Sequence, residues 1–399
     1  MLNYSVAELR INKGMDSSHI VYFILSLLVM FIAYNNGKRL SKLNKTKISA
    51  FSPVIIAYTL FAGLRWGRGV DYNIYYHVYQ EIGKGINEGW EPFFYAIARG
   101  LSIVGFPWQI MVLLMSFLLI LSFSLYLKQF NKQLYVILPL LVLNLIDAEN
   151  LQRWYLAFSF FLICAYSWHN KFHNHKVIAL LFLIVSVLTH YGFVMPIMIF
   201  IGLWIVNRKF NINPHIICCI YLACTFLFKT DMMLYFEQYI NMFNIGGRFS
   251  MYQANASGWL TGEVNAGDNP SNIASLSKII PNILLIYLGA YWIKIENDLK
   301  YKYIYVIAVF SIVFSPIASQ IELLYRVNSV LTIFKVIMIA ILYDSYRKRK
   351  YKKSIISALV LVVFVLKLYT MVSYPLTCDK IDTYFIWDSQ GKPTLQRNI

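Results

Sequence analysis

Long apolar runs recur along the whole chain, separated by short polar loops. A run of about 20 apolar residues spans a bilayer as a helix. The pattern predicts about twelve spans, at 19–36, 48–63, 107–127, 133–147, 151–169, 176–190, 192–207, 214–229, 278–294, 302–318, 326–345 and 354–372. Residues 92–105 are apolar but too short to cross, and they predict an interfacial or re-entrant helix. The predicted fold is all-α, a polytopic transmembrane helical bundle in which residues 1–399 form a single integral-membrane domain.

Lysine and arginine are concentrated in alternate loops of this threading. Loops 35–47 and 346–353 are the richest, and the four loops between them on the same side also carry basic residues. The positive-inside rule therefore places these loops in the cytoplasm and both termini outside. Outer loops 64–106 and 230–277 and the polar tail 373–399 then face the opposite side of the membrane.

Composition excludes an ordinary soluble domain. Hydrophobic residues make up 58% of the chain, charged residues make up 14%, and the mean hydropathy is +0.55. The net charge of +17 lies in short loops between apolar runs, which fits membrane orientation better than a nucleic-acid groove. The five cysteines show no CxxC or Cys/His spacing for a metal or a disulfide framework. The N-terminus shows no cleavage site of a removable signal peptide.

The polar stretch 63–92, GLRWGRGVDYNIYYHVYQEIGKGINEGWEP, lies between two apolar segments. Its arginines suit phosphate, and its aromatic rings suit sugars or lipid headgroups. Asp71, Tyr75 and Tyr79 recur at i, i+4 and i+8, so a helix would place them on one face. A group of glycines then ends this helix, and Pro92 suits the first turn of the next one. An amphipathic interfacial linker with a belt of tyrosines is the alternative interpretation.

Polar residues that are distant in sequence converge on the outer face in this topology: Arg65, Arg68, Asp71, Glu91, Arg153, His190, Arg248, Glu322 and Arg326. Arginine is costly inside a bilayer, so the set indicates a site at one water interface rather than a pore. In loop 230–277, Arg248 and Tyr252 share a face if that piece is helical. The small, polar run 255–272 is either a lid or a disordered loop.

Each later candidate also has a structural interpretation. Arg153 can pair with Glu149, four residues before it. His190 is either a general base or a hydrogen-bonded interface residue. Glu322 and Arg326 stand at i and i+4, so they can neutralise each other, or Glu322 can orient Arg326 for a phosphate.

These residue types suit an anionic, lipid-linked ligand. Arginine matches a pyrophosphate and stabilises it as a leaving group, and glycosyl transfer needs a base for the acceptor hydroxyl. No nucleotide-binding glycine loop, DxD pair or HExxH motif occurs. We therefore expect neither a nucleotide sugar nor a metal nor another cofactor.

The motif GLRWGRGVDYNIYY, followed by EPFFY, resembles that of the EpsG-like, Wzy-type polysaccharide repeat-unit polymerases. The pattern of that family is an Arg and a Gly-x-Asp-Tyr-x-x-Tyr before a Glu-Pro. Similarity continues in order through NLQRWYLAFS, THYGF, GGRFSMY and LYRVN, which contain Arg153, His190, Arg248 and Arg326. Trp154 and Tyr191 depart from the family pattern, which has Gln and Ser or Thr there.

The resemblance implies an inner-membrane enzyme that joins undecaprenyl-pyrophosphate-linked oligosaccharides on the periplasmic side, for O-antigen, capsule or exopolysaccharide. It implies that Arg65, Arg153, Arg248 and Arg326 bind pyrophosphate, that Asp71 or His190 is the base, and that Tyr72 and Tyr76 line the sugar path. The other candidate substrate-binding residues are Arg68, Glu91, Tyr252 and Glu322. We expect a metal-independent, inverting transfer. Its partners would be membrane lipid and a chain-length regulator protein, with no nucleic acid.

Three other functions remain open. A flippase for the same lipid-linked oligosaccharide would place polar groups near the midplane and usually shows a repeat between halves, which is not evident here. A membrane O-acyltransferase would take acyl-CoA from the cytosol and would need functional polar groups on the inner loops. A structural assembly partner is the third alternative.

Overall fold

The apolar runs form α-helices in a computed structural model of the chain. It describes residues 17–67, 71–87, 89–170, 174–209, 213–228, 272–296, 298–347, 355, 357–363, 365–366 and 384–387. The helices are α1 (Ser17–Leu40), α2 (Ser52–Gly63), α3 (Tyr72–Gly83), α4 (Pro92–Ile103), α5 (Trp108–Leu127), α6 (Leu134–Asn144), α7 (Gln152–His169), α8 (His175–Thr189), α9 (Val194–Lys209), α10 (Pro214–Leu227), α11 (Asn272–Glu296), α12 (Leu299–Ala318) and α13 (Glu322–Arg347). Two short strands are β1 (Arg65–Trp66) and β2 (Tyr384–Phe385).

The prediction of an all-α membrane protein is confirmed. Eleven of the predicted spans each coincide with one helix, and the twelfth is described as helix only in part, chiefly over 357–363. Five described segments are long and apolar enough to cross a membrane: Ile20–Leu40, Trp108–Glu149, Lys278–Glu296, Leu299–Ala318 and Leu323–Tyr346. The second of these is bent, because a 3₁₀ turn at Lys128–Gln133 separates α5 from α6.

The chain forms two compact units, residues 1–192 with 364–399, and residues 193–363. In the first unit α1 packs on α6, α2 on α5, and α7 on both α5 and α8. Gly37 lies where α1 meets α6, and a Cβ there would stand 2.7 Å from the carbonyl carbon of Leu134. Only a glycine therefore permits this close approach of the two helices. The prediction of a single integral-membrane domain stays a prediction.

Hydrogen bonds between apolar helices occur in the second unit. Lys335 on α13 donates from Nζ to Oδ1 of Asn282 on α11 at 2.9 Å. Asn282 in turn donates from Nδ2 to the hydroxyl of Tyr221 on α10, also at 2.9 Å. A lysine inside a span is costly without polar partners. The two bonds supply such partners, and they connect α10, α11 and α13 around the lysine.

The polar stretch between α2 and α5 folds as the pattern predicts. α3 ends at Gly83, and Gly85 and Gly89 take positive φ values of 88° and 78° in the turn that follows. Pro92 then occupies the first turn of α4, the short helix predicted for 92–105. The positive φ values need glycine because a side chain would be strained there.

The C-terminal segment returns to the first unit and pairs with β1. β2 runs antiparallel to β1, with Phe385 opposite Arg65 and Tyr384 opposite Trp66. Ile386 donates its backbone N–H to the carbonyl of Leu64 at 3.1 Å. The Phe385 ring is 1% exposed and packs against Tyr22 and Phe61, each with a centroid separation of 6.4 Å. The sequence shows no motif in this tail, so its docking emerges only from the tertiary structure.

Candidate functional site

Three predicted site residues meet in the first unit, and we call Glu91, Arg153 and His190 the Glu91 cluster. Oε2 of Glu91 lies 2.5 Å from Nη1 of Arg153, and Oε1 lies 3.1 Å from Nδ1 of His190. The carboxylate therefore uses a different oxygen for each partner. Glu91 is 8% exposed, so the contacts form in a largely desolvated place. Such charge-assisted contacts are stronger than those between neutral groups.

Helix ends bring these residues together. Glu91 immediately precedes α4, Arg153 lies in the first turn of α7, and His190 follows the last residue of α8 in extended backbone with φ −156°. The buried Ser186 hydroxyl on α8 donates to the carbonyl of Ala157 on α7 at 2.7 Å. This bond ties the end of α8 to the start of α7 and so fixes the separation of histidine and arginine.

Aromatic rings enclose the Arg153 guanidinium. Its Cζ lies 4.4 Å from the Trp90 ring centroid, 5.3 Å from that of Tyr75 and 5.6 Å from that of Phe94. Nε of Arg153 also donates to the Tyr75 hydroxyl at 3.3 Å. These cation–π contacts offset part of the cost of burying the charge, and they hold the side chain in one orientation.

The imidazole of His190 is packed on two sides. Trp154 lies edge-on to it, with ring centroids 5.3 Å apart and an interplanar angle of 81°. A Cβ added at Gly192 would come within 3.4 Å of Cε1 of His190. Trp154 therefore limits rotation of the ring on one side, and a side chain larger than that of glycine at position 192 would press on it from another.

Glu91 is a carboxylate at neutral pH. Burial by itself raises the pKa of the Glu91 carboxyl, but the hydrogen bond from His190 and the charge of Arg153 outweigh burial and lower this pKa from 4.5 to about 2. The cluster thus combines a fixed anion, a fixed guanidinium and an imidazole. An imidazole held in this way is suited to accept a proton from a substrate.

Arg65 and Tyr72 lie deeper in the first unit than the interpretation as ligand contacts implies. Arg65 is 2% exposed, and its Cζ lies 5.5 Å from the centroid of the Tyr72 ring. Tyr72 is fully buried and donates from its hydroxyl to Oε1 of Gln109 at 3.3 Å. Burial raises the pKa of Tyr72 to about 12, although the charge of Arg65 opposes this shift. In this conformation the two side chains support β1 and do not reach bulk solvent.

A small cavity lies beside Arg65. It encloses about 20 Å³, and its wall includes Glu149, Gln152 and Tyr155. That volume has room for about one water molecule. Glu149, the predicted alternative partner of Arg153, is 4% exposed and accepts a hydrogen bond from the Tyr22 hydroxyl at 2.7 Å.

Asp71 and Tyr76 are half-buried on or beside α3. The backbone N–H of Asp71 donates to Oδ1 of Asn150 at 3.0 Å, and one turn further along the chain Tyr75 contacts Arg153. Tyr76 lies edge-on to Trp66 at 5.8 Å. Asp71 thus stays a second candidate base near the cluster.

The remaining candidates fall elsewhere. Arg326 is half-buried near the start of α13, in the second unit, where Glu322 begins the helix. Arg68, Arg248 and Tyr252 lie outside the described residues, as does the run 255–272. The site residues that the sequence analysis missed are Trp90, Phe94 and Trp154. Two of them are direct neighbours of Glu91 and Arg153, and this adjacency was the available signal.

Among the described residues, no group of three or more His, Cys, Asp or Glu side chains is placed to hold a metal ion. The metal-independent reaction stays a prediction. The Glu91 cluster itself offers one carboxylate and one imidazole beside a guanidinium.

Comparison with known proteins places the chain in a family. The family model named EpsG matches residues 48–384, well over half of the 399 residues, and this range contains every residue of the Glu91 cluster. Searches of curated proteins and of solved structures gave no significant match. The sequence motifs, the helical membrane fold and the family match agree, and the chain belongs to the EpsG family of Wzy-like polysaccharide polymerases.

Proposed function

We propose that this protein is a membrane glycosyltransferase that polymerises undecaprenyl-pyrophosphate-linked oligosaccharide repeat units on the periplasmic side of the inner membrane. The product would be an O-antigen, a capsule or an exopolysaccharide. The observation that carries the proposal is the Glu91 cluster within the family-matched range, because it joins a candidate base to a fixed cation. Membrane lipid and a chain-length regulator protein are the proposed partners.

The proposed step is an inverting displacement without a metal. An acceptor sugar hydroxyl attacks the anomeric carbon of the donor unit while the bond from that carbon to the pyrophosphate oxygen breaks. His190 takes the hydroxyl proton, and undecaprenyl pyrophosphate leaves with the bonding electron pair. Arg153 is the proposed pyrophosphate-binding residue beside His190. For Arg65, Arg248 and Arg326 this role stays a prediction from the family resemblance.

Charge in the Glu91 cluster changes in the direction that this step needs. The guanidinium of Arg153 and the carboxylate of Glu91 balance while His190 is neutral. Proton transfer to His190 gives the cluster a net positive charge at the moment when negative charge develops on the departing pyrophosphate. Fixed charges in a largely desolvated site favour such a transition state.

The pairing of β1 with β2 bears on the proposed topology. Strands that exchange backbone hydrogen bonds must lie on the same side of a membrane, so residues 65–66 and 384–385 share one side. Together with the basic loops, this supports a threading with loop 64–106 and the C-terminal tail both outside.

A flippase for the same lipid-linked oligosaccharide is the second candidate. The observation that favours it is the Lys335–Asn282 hydrogen bond within the spans of the second unit, since carriers place polar groups inside the membrane. The two candidates differ in whether new glycosidic bonds form.

The test uses the purified protein in liposomes that contain the lipid-linked repeat unit. We expect a ladder of longer oligosaccharides, and we expect His190→Gln to slow its formation on the order of 100-fold or more. His215→Gln is the matched control, because His215 lies in the second unit and is exposed. A ladder that disappears in EDTA and returns with a divalent cation would contradict the metal-independent mechanism.

Transport of the repeat unit between leaflets without any ladder would identify a flippase instead. In cells, deletion of the gene distinguishes the same alternatives. Single units that accumulate on the outer leaflet support a polymerase, and units trapped on the inner leaflet support a flippase. A normal polymer that lacks only an acyl group would indicate an acyltransferase.

A further inference from the structure

Glu91 contacts the two groups that the proposed reaction needs, and it does so with separate oxygens. Its Oε1 faces Nδ1 of His190 at 3.1 Å, and its Oε2 faces Nη1 of Arg153 at 2.5 Å. The side chains of Glu91, Arg153 and His190 are 11%, 14% and 17% exposed. In this geometry the carboxylate has little contact with water, and both of its oxygens contact protein groups.

The position of Glu91 determines which ring nitrogen of His190 carries a proton. Oε1 of the ionised carboxylate lies 3.1 Å from Nδ1 and can only accept, so a lone pair on Nδ1 would be repelled and Nδ1 carries the hydrogen. In the neutral imidazole the lone pair then lies on Nε2. The same carboxylate stabilises the imidazolium that forms when Nε2 gains a proton, which increases the basicity of the ring.

The groups around the ring come from three helices. Glu91 approaches from the start of α4, Arg153 and Trp154 from the start of α7, and Tyr75 on α3 reaches the ring indirectly through Arg153. Arg153 is the cation nearest to Glu91 among these groups, and it opposes protonation of the histidine. The carboxylate lies between the two cationic groups and separates them.

We propose that Glu91 is a positioning residue that holds His190 in the tautomer with Nδ1–H, so that Nε2 is the atom that receives the acceptor proton. By the same contacts it fixes the Arg153 guanidinium beside the histidine. This inference rests on the proposed function, and it assigns the role of base to His190 rather than to Asp71. It also changes the role of Glu91 from substrate contact to support of the base.

The first test measures His190 without any assay of activity. Diethyl pyrocarbonate modifies the unprotonated imidazole, and mass spectrometry of the full-length protein follows the rate at His190 as a function of pH. We expect Glu91→Gln to move the midpoint of this profile to lower pH by about one unit, because removal of an anion favours the neutral ring. Glu81→Gln is the matched control, a carboxylate change in α3 away from the cluster, and it should leave the midpoint in place.

The second test measures polymerisation in liposomes. We expect Glu91→Gln to lower kcat on the order of 100-fold with KM changed less than about threefold, and to move the acid limb of the pH–rate profile downward. Glu91→Asp keeps the charge, so it should keep the midpoint near that of the wild type and recover part of kcat. If Glu91→Gln fails to fold, Glu91→Asp still tests the positioning role, because the shorter side chain keeps the charge but draws the carboxylate away from Nδ1, and an unchanged kcat would overturn that role.

The outcomes separate the two claims. A midpoint that moves in Glu91→Gln together with a loss in kcat supports the positioning role. A midpoint unchanged within about 0.3 unit, or a loss confined to KM, overturns it even if the wild type polymerises its substrate. A wild-type protein that forms no ladder overturns the proposed function, and the catalytic part of this inference with it.

Discussion

Replacement of Phe385 by Ala should detach β2 from β1. The ring is almost fully buried and packs against Tyr22 and Phe61. Burial of a phenyl ring of this size stabilises by about 4 kcal/mol, and each backbone hydrogen bond of the pair by about 1 kcal/mol. Ordering of the four residues 384–387 opposes docking by about 1–2 kcal/mol each.

These opposing contributions balance within a few kcal/mol, so docking of the strand depends on the ring. Loss of about 3 kcal/mol would reduce the ratio of docked to detached strand on the order of 100-fold. The expected result is therefore local detachment of the strand rather than unfolding of the helices.

A disulfide reports this docking directly. In a cysteine-free background, Trp66→Cys and Tyr384→Cys stand at paired positions of the two strands, at a spacing that suits a disulfide. We expect efficient cross-linking with Phe385 present and almost none after Phe385→Ala. Ile386→Ala is the control, because Ile386 is 38% exposed. Equal cross-linking in both backgrounds would refute the claim that this ring holds the strand.

Three further predictions concern stability. The pKa of Glu91 in the folded protein lies below its unfolded value of 4.5. The Glu91 carboxylate therefore stabilises the fold fully above pH 4.5, and this contribution is lost as the pH falls toward about 2. The difference in melting temperature between wild type and Glu91→Gln should shrink over that window. Gly37→Ala should lower the melting temperature in detergent by several degrees, because the new methyl overlaps the neighbouring helix, whereas Gly202→Ala, with open space around it, should not. Asn282→Leu removes an acceptor from the Lys335 ammonium and should cost about 1 kcal/mol of stability, which a chemical unfolding curve would measure; an unchanged curve would mean that this bond contributes nothing.

The Glu91 cluster shows how far motif reasoning reaches for a membrane enzyme. Each of its three residues is a candidate from sequence, since charged groups next to apolar spans are few and costly. Their mutual arrangement cannot be predicted from sequence, because Arg153 and Glu91 are 62 positions apart and meet only through the packing of helix ends. The sequence offers Glu149 as the local partner of Arg153, and the structure supplies Glu91 instead.

The span pattern, the break after α3 and the start of α4 at Pro92 follow from sequence alone, since bilayer thickness and backbone geometry act on local residues. The contacts within the Glu91 cluster and the burial of β1 do not follow from sequence alone. Arg65 was expected to face a ligand, yet its burial is decided by α5 and by the returning strand, through Gln109 and Phe385. A two-residue strand has no periodicity to detect, and the rings around Arg153 come from α3, from α4 and from Trp90 in the loop between them. Local propensity determined the elements of this protein, and long-range packing decided which polar groups meet, because a charge inside the fold is stable only where distant partners surround it.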